Sequence, residues 1–169
     1  MNTIEYIRKE IAAMHNSVDG SLQNMTDEMF NWPTPGTANT ISATLLHLVG
    51  SEDFFINNVI LGKEKAWKTG SWASKVGIAE TPGMGGDWSE FKRSHVALQP
   101  IVEYKNAIWA CTDAYLATLT DAELERKVPF AGGECPVVDI LQLTISHTLG
   151  HNGEIAALKG VQGSKGLAI

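Results

Sequence analysis

Cysteine is scarce. Cys111 and Cys135 are the two in a chain of 169 residues, too few for a disulfide framework. Basic side chains are also in short supply: 13 Lys and Arg stand against 19 Asp and Glu, for a net charge of -6, and no run of cations occurs. Nucleic acid and anionic membranes both demand clustered Lys and Arg, so neither is expected as the main partner. No apolar stretch approaches the roughly 20 residues that span a bilayer. The N-terminus lacks a hydrophobic signal core, and a cytoplasmic protein is the expectation. No convincing strand and no internal repeat is legible.

What is present is helical periodicity. The chain has the length of one domain, 1–169, and at 44% hydrophobic residues it can bury a sizeable core. Ile4, Ile7, Ile11, Met14, Val18 and Leu22 form the apolar stripe of a first helix, with His15 at its edge as a partly buried surface histidine. A second helix starts at Asn39 or Thr40, both good caps, and runs to about Leu61, where Gly62 stops it. Its stripe reads Ile41, Leu45, Leu48, Glu52, Phe55, Val59. A third follows Pro100, with Ile101, Tyr104, Ile108, Cys111, Tyr115 and Leu119 inward, which makes Cys111 a core thiol. The last starts near Pro136 and ends at Gly160, leaving 160–169 as a loose tail.

Between the second and third helices lie 62–99, rich in Gly and Ser and broken by Pro82; so long a connection is usually functional or mobile. The economical architecture is all-α: a four-helix bundle with its long, irregular connection between helices two and three. Trp109 and Ile108 are neighbours that cannot both follow one core line, so one of them would suit an interface, and a homodimer is expected on that ground.

The chemistry gathers in the last helix, whose inward stripe includes His147 and His151. Residues i and i+4 share a helix face, and two imidazoles so placed can bind one metal ion if a third ligand arrives. His47, near the middle of the second helix, is the histidine a bundle would bring opposite them. Three neutral imidazoles suit Zn, Ni, Fe or a similar divalent ion and leave positions open for water or substrate. Gly150 and Gly153 bracket His151 at a helix cost of about 0.5–1 kcal/mol each, which suggests close approach of a neighbour or ligand. Two carboxylates are candidates for a catalytic or supporting role. Glu154 shares the side of His147 and His151, as an outer acceptor, a general base or a solvated charge. Glu52 lies in a core stripe, where a carboxylate must be paired, yet five residues turn the helix by about 500°, so it points roughly 140° away from His47. Trp32, Trp67, Trp72 and Trp88 lie outside the long helices and would either wall a pocket above the metal or bury themselves on the bundle. Without a metal, the histidines would be hydrogen-bonded core residues.

The pattern His-x-x-x-His-x-Gly-Glu-Ile over 147–155, His47 followed by Glu52 and a terminal Leu61-Gly62, and the run Pro35-Gly36-Thr37-Ala38-Asn39 together resemble the DinB-like (DinB/YfiT) superfamily, over nearly the whole chain in element order. The resemblance implies a four-helix bundle binding a divalent metal, often Zn or Ni, through His47, His147 and His151. It also implies a thiol S-transferase or hydrolase acting on a small molecule, with a low-molecular-weight thiol as cosubstrate in the transferase case. The alternative is a non-catalytic, metal-stabilised bundle that binds a small ligand or partner.

Overall fold

In the computed structural model, which describes residues 1–167, four long helices carry the chain. They are α1 (Thr3–Leu22), α3 (Ile41–Asp53, continued by a π-helical segment, Phe54–Ile60), α7 (Leu98–Ala117) and α9 (Val137–Val161), with short helices α2 (Asp27–Phe30), α4 (Ala66–Thr69), α5 (Trp72–Val76), α6 (Ser89–Arg93) and α8 (Asp121–Glu125) between them. Capping explains two of the starts. Asn2 and Glu5 form a capping box on α1, and the Thr40 side chain accepts from Ala43 N–H at α3, so each satisfies an otherwise orphaned amide. Gly62, at φ +63°, closes the second long helix as its sequence position suggested.

Two apolar clusters fix the directions of the helices. One holds Val18, Leu45, Leu48, Ile101, Ile108 and Ile155; the other holds Ile7, Ile11, Phe55, Ile60, Leu116 and Ile140. α1 and α9 run from the second cluster to the first, α3 and α7 the opposite way. Helices α3 and α7 are therefore parallel, and the chain leaving one must return the full length of the bundle, about 30 Å for 20 residues, before starting the next. That return is what the long connection does. It is not structureless: Trp67 and Trp72 on α4 and α5 are core side chains, packed against Tyr104.

The bundle expected from the sequence is there, with departures of detail. A two-stranded antiparallel hairpin, β1 (Lys127–Phe130) and β2 (Gly133–Pro136), precedes α9. Its strands are four residues long, Pro129 interrupts the first, and the turn Ala131-Gly132 takes positive φ at both positions without the Asn-Gly or Asp-Gly that signals such a turn. Cys111 is exposed, not a core thiol. The inward line of α7 steps four residues from Ile108 to Thr112, which is buried, and this turns Cys111 outward. Trp109 is buried alongside Ile108: its ring stacks on His15 with centroids 4.1 Å apart, and Lys105 Nζ sits 3.6 Å over the other side. The ground for a homodimer interface at Trp109 falls away. The tail, as far as Leu167, folds back on the bundle, with Ser164 N–H donating to Lys159 C=O and Gly166 against the backbone of Ala156; its last two residues, 168 and 169, lie outside the described residues. Among the described residues no helix is long and apolar enough to cross a membrane.

Candidate metal centre

Helix α3 presents His47 and α9 presents His147 and His151 to one point. One ring nitrogen from each lies within 4.8 Å of the others, and His47 Nε2 is 3.0 Å from His147 Nε2. Donors on a tetrahedral ion with bonds of about 2.0–2.1 Å sit roughly 3.3–3.4 Å apart, a spacing that the observed separations bracket. The outer nitrogens fix the tautomers. His47 Nδ1–H donates to the Pro82 carbonyl at 2.8 Å, and His151 Nδ1–H donates to Glu154 Oε2 at 2.9 Å. Both rings thus turn an Nε2 lone pair inward, as ligand histidines do.

His147 completes the test of fit. Its Nδ1 is buried with no partner, while its Nε2 faces the lone pair of His47. With protein atoms alone, Nε2–H must donate to His47 and the Nδ1 lone pair is stranded, at a cost of about 1–3 kcal/mol. A divalent cation among the three rings would instead take the Nε2 lone pairs of His47 and His147 together, with the His147 proton moved to Nδ1. The donor set fits a borderline ion such as zinc or nickel.

Electrostatics keep two of the rings neutral. Burial pushes the His147 pKa down to about 4, helped by the neighbouring His151 and His47. Burial also lowers that of His47, against the opposing effect of its bond to Pro82, with His151 lowering it and Glu154 raising it further. Between the ordinary value of 6.5 and about 4, the unfolded chain carries a proton at His147 that the folded chain refuses. Stability of the metal-free protein therefore rises with pH through this window, and the contribution is lost as pH falls through it. Urea titrations at pH 7 and pH 4.5 should show a loss on the order of 2–3 kcal/mol from this group, largely absent in His147→Gln; equal losses in both proteins would refute the assignment.

The remaining candidates separate clearly. Glu154 is exposed yet touches the site through His151. Glu52 is elsewhere: its Oε1 accepts from His15 Nε2 at 3.0 Å and from Thr112 Oγ1 at 2.6 Å, in a buried polar layer tying α1, α3 and α7 together. His15 is thus buried and structural, not a surface residue. Gly150 and Gly153 face outward, and a Cβ at either would meet nothing within 4 Å; no close approach requires them. Beside His47, a glycine that does permit one is Gly50, where a Cβ would lie 2.5 Å from Thr81 Oγ1. Among the four loop tryptophans, Trp88 borders the histidines, its ring 4.4 Å from that of His47 and 6.4 Å from that of His151. Phe55 packs edge-on against His147, with ring centroids 5.8 Å apart. Pro82 carried no signal in the sequence, because its role depends on where the connection folds.

A family model described as the DinB superfamily matches residues 10–155. Among solved structures, a conserved protein from Enterococcus faecalis is similar over 97% of this chain and 99% of its own, with TM-score 0.78 and 19% identity. A DinB-like protein from Bacillus cereus is similar over 98% of this chain and 94% of its own, with TM-score 0.65 and 18% identity. At such identities the likeness is one of fold. No curated protein sequence matches the chain.

Proposed function

The chain belongs to the DinB superfamily, and from that premise and the three convergent imidazoles we propose that it is an enzyme using a divalent metal ion, zinc or nickel, held by His47, His147 and His151. The reaction is a thiol S-transfer, with a low-molecular-weight thiol as cosubstrate, or a hydrolysis; the substrate is a small molecule, and the setting is cytoplasmic, without nucleic acid or membrane. The observation that carries the reading is the inward aim of the imidazoles. His47 and His151 each have the outer nitrogen engaged, by Pro82 and Glu154, so that both rings present Nε2. Three ligands, rather than the four of closed structural sites, leave room for a reacting group.

A bound ion of this kind supplies a Lewis acid that makes an anionic water or thiolate available near neutral pH. The chain's own contribution is positional. Pro82 holds His47 in one tautomer, and Glu154 holds His151 and adds negative charge near its ring. Phe55 lies edge-on to His147 and adds apolar surface beside the histidines, which limits water there and strengthens charge interactions. Glu154, the exposed carboxylate next to His151, is the group available to hold or pass a proton at the mouth of the site.

The test is a turnover screen of the metal-loaded protein against low-molecular-weight thiols paired with alkyl or epoxide electrophiles, alongside esters and amides without thiol. Thioether formation that disappears in the triple His→Ala variant supports the transferase. Thiol-independent cleavage with the same dependence supports the hydrolase. Stoichiometric metal with a fourth protein ligand and no turnover replaces both with the non-catalytic, metal-stabilised bundle.

A further inference from the structure

The connection between α3 and α7 reaches the three histidines twice. At Pro82 its carbonyl accepts from His47 Nδ1. Six residues later, Trp88 lays its ring against His47 and His151. The segment between is fastened at its ends. Thr81 presses onto Gly50 on α3 more tightly than any side chain there would allow, and Trp88 leads directly into α6, which packs on α3. Between the fastenings, a Cβ at Gly83, Gly85 or Gly86 would meet nothing within 4 Å, and Gly85 takes φ +69°. The indole N–H of Trp88 donates to the carbonyl of Gly83 at 2.9 Å, a residue of the same segment. The half-buried ring is thus held over the histidines by packing and by a bond that can travel with it.

We propose that Trp88 is the gating residue of the metal site: its indole stands between solvent and His47 and His151, and must swing aside for an ion or a small metal-binding ligand to exchange at the three nitrogens. The proposal rests on the metal reading given above. A gate differs from a ligand or a positioning group in a measurable way. It obstructs entry and exit alike, so removing it speeds both while the equilibrium, set by the same three donors, stays put. A residue that merely positioned His47 would instead change affinity.

Zinc-loaded wild type, Trp88→Ala and Trp88→Phe are mixed with a chromogenic chelator in a stopped-flow instrument, and zinc affinity is measured separately by competition. Trp88→Ala should release and take up zinc about tenfold faster, with its Kd within about threefold of wild type, and Trp88→Phe, which retains a ring over the site, should behave like wild type. Equal release rates in wild type and Trp88→Ala, or a Kd that weakens in step with release, overturn the gate alone and leave the metal site standing. A wild type that binds no zinc overturns the metal reading and the gate with it.

Discussion

Protein carrying H47A, H147A and H151A together, purified without an affinity tag, should contain no stoichiometric divalent metal under conditions where the wild type carries one ion per chain. The expectation follows from the convergence of one nitrogen from each ring within 4.8 Å and from the absence, among the described residues, of a second such group of His, Cys, Asp and Glu side chains. Outer partners of metal ligands are worth about 10–100-fold in affinity, so loss of any one of the three imidazoles should exceed about a hundredfold. Glu154 supplies the graded comparison. Glu154→Gln keeps an acceptor for His151 Nδ1–H and loses only charge, for about a tenfold cost, whereas Glu154→Ala leaves the ring unoriented and should approach the hundredfold end. Stability reports the same quantity independently. At a free ion concentration near 100 times its Kd, the wild type should gain about 2.7 kcal/mol and the triple variant nothing. Elemental analysis and urea titrations with and without added zinc make the comparison; equal metal content in the two proteins would sink the site.

How much of this was legible in the sequence follows the physics of each signal. Helix periodicity is local, so the stripes of α1, α3 and α9, the cap at Thr40 and the stop at Gly62 could be read directly. The pairing of His147 with His151 is local too, one turn apart on one face. His47 was legible as their third partner from its place near the middle of the second helix, the resemblance implied the same set, and the antiparallel packing of α3 on α9 explains it. Features that depend on which way a helix is turned were misread when the stripe offered a choice: Cys111 and Thr112 are adjacent, and the hydrophobic thiol is the one that faces water. What packing alone decides left no trace. Pro82 and Trp88 reach the histidines because Thr81 docks on Gly50, and a helical glycine followed by an unrelated threonine 31 residues later says nothing of that contact. Asp53 was passed over for a related reason. Beside Glu52 it reads as an ordinary polar position, yet it is wholly buried.

Asp53→Ala should be the most destabilising single substitution in α3, by about 3–5 kcal/mol from the buried donors it leaves unsatisfied, although Asp53 touches none of the three histidines. Among the described residues its carboxylate has no cationic partner, and protein donors surround it. Oδ1 accepts from Asn57 Nδ2 at 2.8 Å and from Ala66 N–H at 2.9 Å; Oδ2 accepts from Trp67 N–H at 2.9 Å and from the Tyr104 hydroxyl at 2.7 Å. Two of these donors are the first amides of α4, which has no side-chain cap of its own, so Asp53 satisfies from across the bundle what a capping residue would normally satisfy locally. Burial, reinforced by Asp53, holds the Tyr104 hydroxyl protonated far above its ordinary range, and it remains a donor at any working pH. Alanine strands the buried donors of Asn57, Trp67 and Tyr104 at once, while the Ala66 N–H is only part-buried. Asp53→Asn keeps one carbonyl acceptor but turns an amide N–H₂ toward donors, for an intermediate cost of about 1–3 kcal/mol, and Tyr104→Phe, which removes one of the four donors, about 1 kcal/mol. Urea unfolding of the metal-free proteins measures all three, and an Asp53→Ala variant within about 1 kcal/mol of wild type would contradict the network. The contrast with the histidines is the sharper result: Asp53→Asn should lose stability while the folded protein keeps zinc affinity within about threefold, and the triple histidine variant should lose the ion while remaining folded. Stability and metal binding would then be carried by neighbouring turns of the same helix through separate sets of contacts.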